Sequence, residues 1–295
     1  MKRILVTGAN KGIGFAIVEG LLKRYSDTFI YLACRNLEKA ASTSKTFYEI
    51  NISYAARVEP VVMDVSCDNS VSSVAESLKV KMKAEGRSLY GIVNNAGIFS
   101  SASGPREVIN VNLNGVKRVF DNFACALQVP DARVVNIASA SGPNYLASCD
   151  TETHKILTGK NVTWDEIATL CARFLRSYDN LTSSEQQQSA SKSYGFSKAC
   201  VNALTRIQAR ANRSLKINSC TPGFIETDLT RPFAENQGKT PMEMGMKKPK
   251  EGIYSTLFLL MEQDLLSSGH YFGSDCKRSP LDRYRAPGDP PFQDK

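Results

Sequence analysis

Short apolar runs alternate with amphipathic stretches along most of this chain, and that rhythm predicts its elements. Residues 1–7 (M-K-R-I-L-V-T) form a β-branched apolar run long enough for one buried strand. Residues 15–22 follow as a helix with an apolar face. Further apolar runs at 28–33, 57–63, 89–93, 132–138, 215–219 and 269–272 predict six more strands. Between them, 37–50, 69–85, 106–127, 194–212 and 251–262 read as helices; Val71, Val74, Ala75, Leu78 and Met82 share one face of the second of these. The strand runs are apolar throughout rather than alternating, which suits a parallel sheet covered by helices on both faces. The expected fold class is α/β, a doubly wound parallel β-sheet in a single domain over 1–275.

Two stretches break the rhythm. Residues 140–192 look like an insertion. They hold a helix over 163–178 that opens on the capping box Thr163-Trp164-Asp165-Glu166 and carries Trp164, Ile167, Leu170, Phe174 and Tyr178 at helical spacing. That aromatic face reads as packing rather than as a substrate wall. Residues 276–295 are expected to form a C-terminal tail; from 280 onward, prolines and charges predict a surface or disordered segment.

Between the first strand and the first helix lies Gly8-Ala9-Asn10-Lys11-Gly12-Ile13-Gly14. Glycines there let the chain turn tightly and let a pyrophosphate reach the backbone, while the new helix points its free N–H groups at the anion. Strand, glycine turn and helix in this order predict dinucleotide binding on a Rossmann-type sheet. Ligands of such sheets bind at the carboxyl ends of the strands, where the other motifs also fall.

Composition changes this picture little. Lys and Arg outnumber Asp and Glu 37 to 29, for a formal charge of +8. No stretch interleaves basic and aromatic residues, so the surplus reads as a positive cleft for an anionic cofactor and not as a nucleic-acid surface. The eight cysteines have no C-x-x-C pair, and His154 and His270 are the only histidines; no metal site is expected. The cysteines read as reduced thiols, no signal peptide is evident, and no apolar run is long enough for a membrane span. The expectation is a cytoplasmic protein.

Tyr194 and Lys198 are four apart on a predicted helix and share a face. An ammonium one turn from a phenol favours the phenolate, so this pair could exchange a proton with a substrate oxygen near neutral pH. Ser139, delivered at the end of the fifth strand, could donate a hydrogen bond to the same oxygen.

Together these motifs resemble the short-chain dehydrogenase/reductase family: the 7–14 glycine loop, Asp64, Asn94-Asn95-Ala96-Gly97, Asn112, Ser139, Tyr194-Gly195-Phe196-Ser197-Lys198 and Pro222-Gly223, in the family's order over residues 1 to about 275. The wording T-G-A-N-K-G-I-G and the long segment between Ser139 and Tyr194 resemble its carbonyl reductase branch. The resemblance implies Tyr194 as general acid, Lys198 on the nicotinamide ribose, Ser139 on the substrate oxygen, and Asn112 holding a water that relays protons from Lys198. It further implies cofactor contacts from Gly8, Asn10, Lys11, Gly12, Ile13, Gly14, Arg35, Ala96, Gly97, Pro222, Gly223 and Ile225. Asp64 with Val65 would meet the adenine, Asn94 the adenosine ribose, and Thr227 the carboxamide, with Asn95 structural.

Where NAD enzymes place a carboxylate after the second strand, this chain has Cys34 followed by Arg35, and Lys11 lies in the glycine loop. Two cations suit a 2′-phosphate, hence NADPH. The implied activity is reduction of ketones, aldehydes or quinones by a monomer, since in this branch the insertion covers the association face. Two alternatives remain: a dehydrogenase of a particular secondary alcohol of steroid or prostaglandin type, and a non-catalytic dinucleotide sensor. One departure is the short stretch between Gly97 and Asn112, which leaves one pocket wall, the 98–105 loop, undetermined.

Overall fold

The computed structural model describes residues 1–100, 104–182, 185–186, 190–264 and 267–293. Strands β1 (Lys2–Thr7), β2 (Thr28–Cys34), β3 (Val58–Val62), β4 (Leu89–Asn94), β5 (Arg133–Ile137), β6 (Lys216–Cys220) and β7 (Tyr271–Phe272) build one parallel sheet in the order β3-β2-β1-β4-β5-β6-β7. Chain order reverses between β1 and β4, so a crevice opens there at the carboxyl ends of the strands. The α/β class and the doubly wound sheet stand as the apolar strand runs predict. Helices α1 (Gly12–Arg24), α2 (Leu37–Ile50) and α3 (Asp68–Ala84) cross between the first four strands.

Ile4 and Val6 face one layer of the core with Ile17, Leu21 and Leu257, while Leu5 and Ile92 face the other with Val71, Leu78 and Phe123. Adjacent strand residues therefore serve opposite faces, each covered by helices, which is why the strands carry no polar alternation.

The expected 106–127 helix is interrupted. Helix α4 (Pro105–Ile109) passes through a π-helical turn, Asn110–Asn114, into α5 (Gly115–Phe123). Apolar periodicity does not reveal a one-residue widening of this kind, because the apolar face continues on both sides. Such turns gather at functional positions, and this one contains Asn112.

The insertion folds as α6 (Ser141–Leu146), α7 (Thr151–Thr158) and α8 (Trp164–Asp179), the last opening on the capping box expected of it. Phe174 of α8 stacks at 4.4 Å on Phe196 of α9 (Ala190–Ala211), and Ile167 and Leu170 are buried with it. Its aromatic face is thus core. A short helix α10 (Arg231–Glu235) and α11 (Tyr254–Met261) complete the described helices.

From Gly273 to Phe292 the chain is hydrogen-bonded back onto β7, and from 281 onward it stays at the surface as expected, with none of its described residues buried. Ser279 N donates to Tyr271 O at 2.8 Å, and Phe292 N to Arg278 O at 2.9 Å. The anchor is Arg285, whose side chain is only 6% exposed. Its guanidinium pairs with the Asp275 carboxylate and donates to Ser279 Oγ at 3.0 Å and to Asp289 O at 2.8 Å. Proline and charge content signalled the exposure of this segment but not the pairing of Arg285 that anchors it. Arg285→Met should therefore strand Asp275 and cost about 3 kcal/mol of stability, read as a lower urea midpoint; an unchanged midpoint would make the pair energetically idle.

Candidate active site

Glycines set the geometry of the crevice. Gly8 has φ of +63°, and a Cβ on Gly14 would lie 2.3 Å from Gly8 O, so only glycine lets the loop fold over the start of α1. Asn95 Nδ2 donates to Thr7 O at 2.9 Å and Gly8 O at 3.2 Å and fixes that loop against β4, the structural role expected of it. Helix α1 has no side-chain cap and no acidic residue in its first turn. Its N–H groups and positive dipole end therefore face the crevice unopposed. A pyrophosphate fits this cradle.

Ser139, Tyr194 and Lys198 line one cavity of about 410 Å³, whose lining does not include Asn112. Strand β5 delivers Ser139, and helix α9 presents Tyr194 and Lys198. Helix α6 packs so closely on α9 that a Cβ at Gly195 would come within 2.9 Å of Ser141 O. Ser139 and Tyr194 both line the cavity beside this contact. Ser139 Oγ donates to Ser141 Oγ at 3.3 Å, and both residues line the cavity.

Burial pushes the Tyr194 phenol above its ordinary value, and the Ser139 hydrogen bond pulls it partly back. Lys198 is wholly surrounded by protein; burial brings its ammonium down to about 8, with Cys220 acting weakly the other way. Its Nζ donates to Ile137 O at 2.7 Å and stands 5.6 Å from the Tyr194 ring centre. Burial is thus the larger influence on the Tyr194 phenol, which keeps its proton at neutral pH.

Asn112 is fully buried in the π turn. Its Oδ1 accepts from Ile98 N at 2.8 Å, and its Nδ2 donates to Ile98 O at 2.8 Å and Ser197 Oγ at 3.0 Å. Both amide hydrogens are therefore engaged by protein, and the side chain holds the segment after β4 to α9. Gly97 lies between this amide and Lys198: a Cβ there would be 3.2 Å from Asn112 Oδ1 and 3.6 Å from Lys198 Nζ.

The remaining candidates fall along the same crevice. Ile13, Gly97, Pro222, Gly223, Ile225 and Thr227 line the cavity. Ala96 packs against Gly8, and Gly12 against the Thr227 methyl group. Asn10 lends its carbonyl to Thr43. Asp64 binds Ser66 N at 2.9 Å and Ser66 Oγ at 2.6 Å, forming a turn ahead of α3, and Val65 packs against Gly115. Asn94 is buried and donates to Asn136 Oδ1 at 2.8 Å, with its own Oδ1 unpartnered. It ties β4 to β5, while its neighbour Asn95 reaches the cavity. Arg35 stands exposed at the end of β2. Lys11 is paired with Asp228 Oδ2 at 2.6 Å, which holds that carboxyl below its usual range; no motif pointed to this partner.

Phe99 and Phe233 were not anticipated. Phe99 is 5.2 Å from the Tyr194 ring and 4.7 Å, edge-on, from Phe233 of α10. Phe99 itself supplies the wall that the short 98–105 loop left undetermined; residues 101–103 of that loop lie outside the described ones. Its place just after Asn94-Asn95-Ala96-Gly97 was the available signal, and Phe233 had none.

Among the described residues no group of side chains could hold a metal ion, and no helix is long and apolar enough to cross a membrane.

The family profile described as short chain dehydrogenase matches residues 2–149. The Rattus norvegicus protein named carbonyl reductase (NADPH) 3 is 29% identical over 259 residues, 83% of this chain and 88% of its own. Among solved structures, salutaridine reductase from Papaver somniferum superposes with a TM-score of 0.74 at 24% identity, covering 92% of this chain and 99% of the other. NADPH-bound carbonyl reductase from chicken fatty liver gives 0.65 at 20% identity, covering 95% and 98%.

Proposed function

The chain belongs to the short-chain dehydrogenase/reductase family, and from that membership we propose that it is an NADPH-dependent reductase of ketones, aldehydes or quinones. Members are oxidoreductases that exchange hydride between NAD(P)(H) and a CH–OH or C=O group. The observation that carries the finer reading is the meeting of Ser139, Tyr194 and buried Lys198 on the lining of one largely apolar cavity. A relative named for NADPH-dependent carbonyl reduction supports the same substrate class.

The dinucleotide supplies the hydride when bound. The glycine loop and the start of α1 hold its pyrophosphate, Lys198 and Thr227 hold the nicotinamide half, and Asp64 and Val65 flank the adenine. Ser139 and Tyr194 hydrogen-bond the carbonyl oxygen, and Tyr194 gives it a proton as negative charge develops. Asn112 acts by fixing the stretch after β4 against α9. Insertion helix α8, packed on α9, favours a monomer, and eight free thiols suit a reducing, cytoplasmic setting.

Exposed Arg35 at the end of β2 is the group for a 2′-phosphate, with Lys11 as a second cation that must leave Asp228 to join it. NADPH should therefore exceed NADH in kcat/KM by at least about tenfold, and Arg35→Ser should remove most of that preference. Equal values for the two cofactors in one assay would refute the assignment.

A further inference from the structure

The cavity beside Tyr194 is more selective than its volume suggests. Lys198 is the only charged side chain among the described residues that line it; its Nζ gives one hydrogen to Ile137 O at 2.7 Å, and its remaining donors are those assigned above to the nicotinamide half. Of the cations around the 224–250 segment, Lys11 and Arg231 pair with Asp228 and Lys248 with Glu226 at 2.6 Å, while Lys239, Lys247 and Lys250 are exposed and do not line the cavity. The outer wall is apolar, from Phe99, Phe224, Leu229, Phe233 and Met244. Phe99 stands between the rings of Tyr194 and Phe233, so a flat body entering here meets aromatic faces and edges.

A carboxylate in this space would lose its water and find no free cation. The net charge of +8 favours anions at long range, but that attraction ends at the mouth. We propose that the pocket takes uncharged carbonyl compounds with a flat apolar body and excludes carboxylates, with Phe99 and Phe233 as the specificity-determining pair. This rests on the reductase reading and narrows it: ring ketones, quinones and neutral aromatic esters fit, whereas keto acids and acidic lipids do not.

Methyl benzoylformate and benzoylformate differ chiefly in one negative charge and form a matched test on the protein with NADPH. The ester should exceed the acid in kcat/KM by at least about 100-fold. Binding is read separately by titrating the corresponding alcohols, methyl mandelate and mandelate, into protein saturated with NADP⁺; the ester should bind at least about 30-fold tighter. Leu229→Arg, on a half-buried wall position, should then improve mandelate binding by about tenfold. Equal binding of the two alcohols, tighter binding of the acid, or no gain from Leu229→Arg would overturn the selectivity. Selective binding with no reduction of either ketone would uphold the selectivity and overturn the reductase reading instead.

Discussion

Tyr194→Phe is expected to lower kcat by roughly a thousandfold while leaving the NADPH dissociation constant within about twofold of its starting value. The substitution removes one oxygen and keeps the ring, so the contact with Phe99 at 5.2 Å survives. The Ser139 hydroxyl loses a partner but retains Ser141 Oγ at 3.3 Å, so no buried group is left bare. Lys198 stays tied to Ile137 O and remains available to the nicotinamide half. What disappears is the proton that must reach the substrate oxygen as its charge develops. Stopped-flow turnover together with fluorescence titration of NADPH separates the two effects. A variant that still turns over at full rate would end the assignment of Tyr194 as general acid.

Gly14→Ala should produce the opposite pattern, with cofactor binding lost first. The new Cβ would stand 2.3 Å from Gly8 O, 2.5 Å from Asn95 Nδ2 and 2.9 Å from Ala9 Cα. Two of those three atoms are backbone, and the third belongs to an amide that bonds Thr7 O and Gly8 O. The loop can relieve the overlap only by moving off α1, and that separates the surfaces meant to close around the pyrophosphate. The expected result is about 2 kcal/mol of lost stability and NADPH affinity weakened by at least about 30-fold, both measurable without turnover. Wild-type NADPH affinity in this variant would show that the loop does not hold the phosphates.

Much of this could be read in the residues themselves. The strands and helices announced themselves because a sheet covered on both faces needs unbroken apolar runs, and the glycine loop because its backbone admits no Cβ. Ser139, Tyr194 and Lys198 were legible as chemistry at a strand end and on one helix face. The close packing of α6 on α9 beside them was not, because that distance depends on contacts that spacing does not encode. The π turn around Asn112 was hidden by an apolar pattern that continues through it. Phe233 and Asp228 come from a stretch with little periodicity, and their contacts with Phe99 and Lys11 exist only once 224–250 has folded over the crevice.

The return of the chain beyond β7 bears on the order in which the protein can assemble. A Cβ at Gly223, in the loop beside Thr227, would come within 3.4 Å of Ser274, and Ser274 adjoins the Asp275 that Arg285 clasps. The glycine loop leaves the ribosome first, but the opposite side of its crevice gains its backing only once Arg285 has emerged as well. During synthesis the nascent polypeptide therefore passes through a stage in which residues 8–14 have emerged and the Gly223 side of the crevice is still without the Asp275–Arg285 pair that backs it.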